Sequence, residues 1–464
     1  MCGSNSEPSK GNDKDGVESS DALPAAVTNS LSALLPLLGI TSDASVELAP
    51  VSGVGENSYG QVLRASWPGS DTALIVKMAP KNVARRAHMR VIDFYEREVF
   101  MYDRVFQAYR AMGAHFSVPP TLHASDLKAP NEFLIFEDLS QQGYVQNERS
   151  NMPTYDLVVS AIEALAHLHG CSFALQAKQP EVFHQLVSQL GDNLFTQDIG
   201  PVTIEFGKQQ VRHTRRMLQE DIRMDTAEPN VHNMVELLQQ CENHFKALAL
   251  DCVNGAGQAP YAVICHGDFW NNNILYKHDA LSGRAVHAKL IDFQMSRYAP
   301  PVLDLVHYLY TCTEKQLRDA HFSDFLRTYY NALRIYIEGF GLTMERIYPQ
   351  SIFEQQLREF GIYGFIMAAF AMPFFISEAS EIVDIDAVSE AIQDLSATAH
   401  DDHLEGQIKN DSGHKDISKC RKLVEEHEML TERTLPIFKR RMTDIVRDLV
   451  KYNMLQPLLK LNNN

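Results

Sequence analysis

His266–Leu275 reads HGDFWNNNIL and Leu290–Phe293 reads LIDF, and these two stretches decide the fold of the chain. In the first, Asp268 stands five residues before Asn273, which opens an apolar strand pattern; in the second, Asp292 ends another. The polar segment between the two patterns predicts a hairpin turn. Asn273 and Asp292 should therefore lie at the ends of paired strands, within reach of Asp268.

Three oxygen-bearing side chains in this order suit phosphoryl transfer. That reaction needs an acceptor hydroxyl held in line, a group that takes its proton, and neutralisation of the phosphate charge. Asp268 would orient the hydroxyl and accept its proton. Asn273 and Asp292 offer the hard oxygen ligands that Mg²⁺ prefers. A lone Asp and Asn at this spacing more often cap a turn, but the complete string favours the catalytic interpretation.

A glycine-punctuated stretch, GVGENSYG, precedes the first strong strand. Gly53, Gly55 and Gly60 would let a hairpin backbone approach phosphates closely, with Asn57 and Ser58 at its tip. The strict Gly-x-Gly-x-x-Gly spacing is absent. An ordinary glycine-rich turn is therefore the alternative interpretation of this stretch.

A single lysine, Lys77, interrupts the apolar strand ALIVKM. A charged group there must reach solvent or meet an opposite charge. We expect it to contact nucleotide phosphates and a carboxylate of the following helix, either Glu98 or Glu96. The segment from Glu137 to Leu139 ends the last strand of this region, and its backbone would hydrogen-bond an adenine base.

The order of these patterns predicts the architecture. Residues 1–22 are polar and charged and are expected to be a disordered leader. Residues 23–139 contain the strand patterns of a small antiparallel sheet, and residues 140–464 are mainly helical in pattern with the catalytic loop and an acceptor pocket. Strands first and helices second predict an α+β fold with two lobes.

Composition limits the partners and the compartment. With 42 Lys and Arg against 59 Asp and Glu, the formal net charge of −17 disfavours nucleic acids and anionic membrane surfaces. Seven scattered cysteines without a Cys-x-x-Cys predict no disulfide framework. The apolar run Phe360–Ile376 contains two glycines and a proline, which predicts a buried helix ending near Pro373 rather than a membrane span. Without a signal-peptide pattern, we expect a cytoplasmic protein that is not inserted into a membrane.

The combined motifs resemble a known family. The glycine loop, Lys77, Glu98, the EDL segment, HGDFWNNNIL and LIDFQMSRY resemble the aminoglycoside-phosphotransferase and choline-kinase branch of the protein-kinase-like fold. HGDFW with NIL, IDFQ with SRY, and PVLDLVHYLY are especially similar to the insect ecdysteroid kinase-like family. The resemblance implies ATP and Mg²⁺ as cofactors and phosphorylation of a hydroxyl on an ecdysteroid or another small lipophilic alcohol.

The departures from protein kinases favour a small acceptor. Gly267 stands where a protein kinase has arginine, and Asp292-Phe293-Gln294 replaces Asp-Phe-Gly. Only a short run separates Asp292 from the next helix, which leaves no room for an activation loop. A choline-like, sugar or plant-toxin acceptor, or an inactive lipophile-binding relative, remains an alternative, and the oligomeric state stays open.

Several other residues have a structural interpretation. Asp304 and His266 are expected to brace the catalytic loop, His169 to be a core histidine, and Trp270 either to pack or to line the acceptor pocket. His400–His403 is expected to be a solvated acidic turn rather than a metal site. Six residues of the apolar run are expected to be mainly core, with some lining the acceptor cleft: Tyr363, Phe365, Met367, Phe370, Met372 and Phe374.

Overall fold

A computed structural model of the chain describes residues 23–41, 45–51, 59–113, 119–148, 151–224, 231–404 and 412–461. The predicted leader, residues 1–22, lies outside them. By its internal contacts the chain divides into two compact units, Met1–Ala44 and Ser45–Asn464. In the first unit, helix α1 (Ala25–Leu34) runs into a 3₁₀ turn that ends at Gly39, whose φ of 70° suits glycine.

A five-stranded antiparallel sheet begins the second unit, in the order β1-β2-β3-β5-β4. Its strands are β1 Glu47–Pro50, β2 Gln61–Ser66, β3 Ala73–Met78, β4 Leu122–Asp126 and β5 Phe133–Glu137. Strand β3 is the middle strand of this order, with Ala73, Leu74 and Val76 buried. Its Lys77 lies opposite Val62 and Leu134. The predicted ALIVKM strand is therefore confirmed residue for residue.

Four helical segments follow β3 on the way to β4. They are α2 Val83–His88, α3 Val91–Phe100, a π-helical turn Met101–Val105 and α4 Phe106–Ala111. The Asn82 side chain accepts a hydrogen bond from the Arg85 N–H at 2.9 Å and so caps α2. On α3, Phe94, Tyr95 and Glu98 are buried, which brings Glu98 to the inner face of this helix.

Two small sheets carry the motif residues. Strands β6 (Tyr144–Gln146), β8 (Ile274–His278) and β9 (Ala285–Leu290) form one, and β7 (Val263–Cys265) pairs with β10 (Arg297–Ala299) in the other. Strands β8 and β9 pair antiparallel with Ile274 opposite Leu290, as the predicted hairpin requires. The sequence patterns did not indicate β4, β6 or β10, which are short or pair far along the chain.

The rest of the described chain is helical, so the predicted α+β fold with a small sheet lobe and a large helical lobe is confirmed. The helices are α5 Tyr155–Lys178, α6 Pro180–Val187, α7 Pro201–Arg223, α8 Val231–Asn243, α9 Phe245–Cys252, α10 Val302–Cys312, α11 Lys315–Gly339, α12 Met344–Ile347, α13 Gln350–Phe360, α14 Ile362–Ile376, α15 Ile385–Leu404, α16 Ser412–Glu426, α17 Thr434–Lys451 and α18 Gln456–Leu461. Helix α5 packs against α11, and α10 packs against α14, around one continuous apolar core.

Two local predictions need correction. Helix α14 continues through Pro373 to Ile376, because a proline in the last turn removes a single backbone donor and the helix ends three residues later. His400–His403 does not form a turn, since the backbone of α15 is helical as far as Leu404.

Helix α5 is the one helix of the described chain that is long and apolar enough to cross a membrane. The apolar window of α5 is 83% buried inside the protein, as in a core helix. The pair α13 and α14 passes the same test only if its 50° bend is ignored.

Helix α15 also connects the two lobes. The Arg85 guanidinium at the end of α2 lies 3.2 Å from the Asp386 carboxylate, and the Asn82 amide donates to Glu390 at 2.8 Å. Both partners belong to the first turns of α15. These two contacts attach a helix of the large lobe to the helix that follows β3.

Candidate active site

Lys77 is the centre of the polar cluster. Its ammonium nitrogen lies 2.7 Å from Glu98 Oε2, 2.8 Å from Asp292 Oδ1 and 3.0 Å from Gln294 Oε1. Burial lowers its pKa, but the charges of Asp292 and Glu98 outweigh burial and raise the pKa above the usual lysine value. The lysine is therefore charged at neutral pH and is bound by residues of both lobes.

The partner of Lys77 on helix α3 is Glu98, because that residue is buried whereas Glu96 on the opposite face is exposed. Burial raises the pKa of the Glu98 carboxyl to about 7, and the Lys77 charge opposes this rise. The Tyr95 ring lies 5.7 Å from the ammonium nitrogen and covers it on the helix side. The sequence left both glutamates open; the helical face decides between them.

Asp268 and Asn273 are joined directly. The Asn273 side-chain N–H₂ donates to Asp268 Oδ2 and to the Asp268 carbonyl, both at 2.9 Å. This contact fixes the carboxylate and leaves the Asn273 side-chain oxygen on the opposite side of the amide. Burial, and next the charge of Asp292, raise the pKa of Asp268 from 3.8 to about 7.

Asp292 stands two residues after the end of β9 and has a φ of 64°, in the left-handed region. The Ile291 N–H donates to the Asn273 carbonyl at 3.0 Å, so the paired strands bring Asp292 next to Asn273 in register. Such a conformation in a residue other than glycine is held by its surroundings. Here Lys77 binds the side chain and the β8–β9 hairpin fixes the backbone.

The backbone geometry between His266 and Asp268 leaves room for glycine and for no larger residue. The φ of Gly267 is 87°, and a Cβ atom there would lie 1.8 Å from the Met295 carbonyl oxygen. The buried Arg297 guanidinium donates to the Gly267 carbonyl. The loop from His266 to Asn273 thus packs backbone to backbone on the segment after Asp292, which excludes a side chain at position 267.

Asp304 braces the loop from helix α10. Its two carboxylate oxygens accept from the N–H groups of His266 at 2.6 Å and Gly267 at 3.0 Å, and from His169 at 3.1 Å. Burial raises the pKa of Asp304, but the hydrogen bond and charge of His169 outweigh burial and lower it to about 2. His266 in turn donates from Nε2 to the Ile291 carbonyl and accepts the Asp268 N–H at Nδ1, at 3.0 and 3.3 Å. These contacts agree with the predicted bracing interpretation of Asp304 and His266.

His169, Cys265 and Asp304 form the one group of three His, Cys, Asp or Glu side chains in the described part of the chain whose ligand atoms lie within 4.8 Å of one another. Both ring nitrogens of His169 are already bound, one by Asp304 and the other by the Tyr329 hydroxyl at 2.7 Å. The histidine is therefore part of the buried bracing network. It does not offer a free ligand atom.

Two polar contributors were not singled out from the sequence. Gln294 binds Lys77 through its side chain, and Arg97 donates to the carbonyls of Gly191 and Ser296 and to the Asn193 side chain. Arg97 precedes Glu98 on the same helix, so α3 holds both the lysine and the loop after Asp292. Gln294 stands two residues after Asp292, and this position in the sequence could have identified it as a residue of the site.

The remaining predicted positions are divided between described and undescribed residues. Gly53, Gly55, Asn57 and Ser58 lie outside the described residues. Glu137 ends β5, and the buried Leu139 begins the 3₁₀ turn that leaves the sheet. The predicted hinge therefore lies at the junction between the sheet and the large lobe.

One cavity of about 1570 Å³ contains the polar cluster. Its lining includes Lys77, Glu98, Asp268, Asn273 and Asp292, and the segment from Phe136 to Ser140. Mainly apolar side chains of α7, α14, α15, α16 and α17 also line it, and we call the part that these helices line the apolar chamber. Of the apolar run, Met367, Phe370 and Phe374 line the cavity, whereas Tyr363, Phe365 and Met372 are buried in the core.

The donor atoms around Asp268 fit a magnesium ion. Asp292 contributes carboxylate oxygens, and the Asn273 amide, whose nitrogen is occupied by Asp268, has its oxygen left for a cation. Both are hard ligands, and Mg²⁺ keeps waters in its remaining positions. These two residues are the ones that could hold such an ion.

Comparison with known proteins gives a family. The model of the ecdysteroid kinase-like family matches residues 54–341 of the chain. The comparison of this chain with curated protein sequences found no match.

Solved structures that resemble the chain do so weakly. A point mutant of aminoglycoside 2′-phosphotransferase-IIIa with GDP has 12% identity and a TM-score of 0.35, covering 87% of this chain and 96% of its own. Spectinomycin phosphotransferase with ADP and spectinomycin has 10% identity and a TM-score of 0.33, covering 89% and 98%. A protein described as a fructosamine-3-kinase from Haemophilus somnus has 13% identity and a TM-score of 0.33, and the match covers 86% of this chain and 97% of that protein. Scores this low carry no argument beyond the family match.

Proposed function

The chain belongs to the ecdysteroid kinase-like family, whose model spans more than half of it, and from this premise we propose the reaction it catalyses. The family makes it a small-molecule kinase. The proposed reaction transfers the γ-phosphate of ATP to a hydroxyl of a small lipophilic alcohol, an ecdysteroid or a related steroid or xenobiotic. The observation that carries the proposal is one cavity in which Lys77, bound by two carboxylates, shares its walls with Asp268 and with an apolar chamber.

The nucleotide would occupy the polar end of the cavity. Lys77 would bind phosphate oxygens, as a charged lysine in an otherwise apolar strand is suited to do. The residues proposed to hold ATP are Gly53, Gly55, Asn57, Ser58, Lys77, Glu98, Glu137 and Leu139. Magnesium would be held by Asn273 and Asp292 and would neutralise charge on the phosphates.

Asp268 would act as the base. Its carboxyl has a pKa of about 7, so it can take a hydroxyl proton near neutral pH without being permanently protonated. The Asn273 N–H₂ holds one of its oxygens, and the Asp304 network fixes the backbone on its amino side. The loop would therefore present the carboxylate in one orientation, which is the main requirement for positioning an acceptor.

The acceptor would enter the apolar chamber. Phe206, Met367, Phe370 and Phe374 contribute aromatic and thioether surface there. Small-molecule sites are typically apolar with a few polar groups that fix orientation. This lining supports a lipophilic alcohol over a sugar acceptor.

The compartment and the partners are part of the proposal. The six cysteines of the described chain, from Cys171 to Cys420, are buried and form no disulfide among the described residues, which fits a reducing compartment such as the cytoplasm. The acidic net charge disfavours nucleic-acid binding. The proposed partner is a small lipophilic alcohol. The proposed domain division ends the nucleotide-binding lobe at Leu139 and begins the helical lobe at residue 140.

A transfer assay with labelled ATP and 20-hydroxyecdysone, extended to other alcohols, tests the proposal. We expect Asp268→Ala to lower turnover by about 10²–10⁴-fold while ATP affinity stays close to that of the wild type. Asp292→Ala should weaken Mg-ATP binding instead. Normal turnover in the first variant would remove Asp268 from its role, and unchanged affinity in the second would remove the ligand assignment.

Two other functions remain to be separated by the same assay. Transfer to a choline-like, sugar or toxin hydroxyl but not to a steroid would identify a different acceptor. Binding of lipophilic alcohols without any transfer would identify an inactive relative. The retention of Lys77, Asp268, Asn273 and Asp292 in one cavity argues against inactivity.

A further inference from the structure

Helices α14 to α17, which line the apolar chamber, lie beyond the part of the chain that the family model matches. That match ends at residue 341, whereas helices α15, α16 and α17 begin at Ile385, Ser412 and Thr434. Each contributes apolar residues to the cavity, such as Val388, Val424 and Ile437. Acceptor selection therefore depends on side chains that a family assignment does not describe.

Three charged residues belong to this wall of the chamber, Glu378, Arg433 and Arg441, and of these Arg441 is buried while the other two are exposed. Arg441 of α17 lines the cavity although only 3% of it is exposed. Its Nη2 donates to the Thr311 carbonyl at the end of α10, at 2.8 Å, and its guanidinium lies 5.0 Å from the Phe375 ring. Its Nη1 is buried and has no hydrogen-bond partner among the described residues.

The carboxylates near Arg441 are occupied by other cations. Glu314 pairs with Arg440 at 3.1 Å, and Asp448 pairs with Arg318 at 2.6 Å. Burial lowers the pKa of Arg441 to about 10, so the group is still charged at neutral pH. A buried cation that forms no ion pair within the described chain is costly, and a ligand oxygen would offset part of that cost.

Trp270 presents a second unsatisfied donor from the catalytic loop. Its indole Nε1 is buried without a partner in the described structure, and the residue lines the same cavity. The next residue, Asn271, donates its N–H to Cys312 Sγ at 3.3 Å. Cys312 follows Thr311, which holds Arg441. Both donors are therefore attached to the end of α10.

We propose, on the premise of the proposed function, that the Arg441 guanidinium and the Trp270 indole N–H bind a second, hydrogen-bond-accepting oxygen of the acceptor alcohol, distinct from the hydroxyl that is phosphorylated. The chamber then selects an apolar scaffold that carries at least two oxygen functions. The structural contacts of Arg441 use Nη2 and the aromatic face, and they leave Nη1 for the ligand.

A matched pair of ligands tests this inference without requiring catalysis. The probes are androsterone, which carries a hydroxyl and a ketone at opposite ends of the steroid, and the same steroid alcohol lacking the ketone. Equilibrium binding is measured for the full chain with wild type, Arg441→Met and Trp270→Phe. We expect the wild type to prefer the ketone-bearing steroid by ~10- to 100-fold, since each unpaired buried donor regains a partner.

The two variants should reduce that preference by different amounts. Arg441→Met is expected to remove most of the preference for androsterone, by weakening the binding of that steroid and leaving the binding of the other unchanged. Trp270→Phe, which keeps an aromatic ring, is expected to lower the preference by about tenfold or less. Lys439→Met is the matched control, because that neighbour on α17 does not line the cavity and pairs with Glu220 at 3.9 Å, which does not line it either. ATP affinity, measured in parallel, reports that each variant is folded.

Equal affinity of the wild type for the two steroids, or a preference that survives in Arg441→Met with normal ATP binding, would overturn the inference. Should Arg441→Met fail to bind ATP, Trp270→Phe decides the question alone: an unchanged preference overturns the inference, and a reduced one supports it. Phosphate transfer plays no part in this readout. A kinase assay that fails would thus contradict the proposed function, whereas a lost ligand preference concerns Arg441 and Trp270.

Discussion

Asp268→Asn should make the protein more stable, by an amount that depends on pH. The folded chain raises the pKa of this carboxyl from 3.8 to about 7, first through burial and then through Asp292. The folded state therefore disfavours the charged form, and the resulting penalty is absent well below pH 3.8 and complete above pH 7. An asparagine keeps the oxygen that accepts the Asn273 N–H and carries no charge.

The expected difference in the free energy of unfolding follows from the two pKa values. With 1.36 kcal/mol for each pKa unit, it is about 2 kcal/mol at pH 5 and about 4 kcal/mol at pH 8, in favour of the variant. Urea unfolding of wild type and variant at the two pH values measures it. The exposed Asp71→Asn serves as a control and should change little at either pH.

A stability difference that does not vary between pH 5 and pH 8 would refute this reasoning, because only an abnormal pKa makes the difference depend on pH. A variant less stable than the wild type at pH 8 would do so as well. The same variant is expected to lose transfer activity. A variant that is more stable and has lost turnover would show that the Asp268 carboxylate serves function and lowers the free energy of unfolding.

Two further predictions concern the same loop. The kcat/KM for transfer should rise with pH and level off above about pH 7. The reason is that Asp268 must lose its proton to act as a base, and Glu98, also with a pKa of about 7, must be charged to hold Lys77. A flat profile from pH 5 to 9 would contradict this. Gly267→Ala should lower the urea midpoint of unfolding and abolish turnover, since a Cβ would lie 1.8 Å from the Met295 carbonyl at a φ of 87°. A folded, active alanine variant would show that the loop can move away, and an alanine at the exposed Gly191, which has nothing within 4 Å, is the control.

The sequence predicted the parts of the site that are local in the chain. The His266–Leu275 string and LIDF lie on a hairpin with the expected strands because apolar runs, a polar turn and short spacing define a hairpin without reference to distant residues. Lys77 could be singled out for a similar reason, as a charge inside an apolar strand. The roles of these residues in catalysis stay predictions.

Other features depend on contacts between distant segments and had no local signal. The choice of Glu98 over Glu96 follows from which face of α3 packs inward, and the Asp304 contacts join residues about 40 positions apart. The apolar wall from α15 to α17 was unpredictable because amphipathic helices indicate burial and do not indicate what they are buried against. The helical passage through Pro373 was missed because the position of a proline within a last turn is fixed by packing.

The attachment of α15 to α2 has a consequence for the two proposed sites. Arg85 and Asn82 bind Asp386 and Glu390 in the first turns of a helix that also lines the apolar chamber. Any shift of the sheet on binding of the proposed nucleotide would be transmitted to that wall through these two contacts. Occupancy of the chamber by the proposed acceptor would in turn act on the sheet through the same helix.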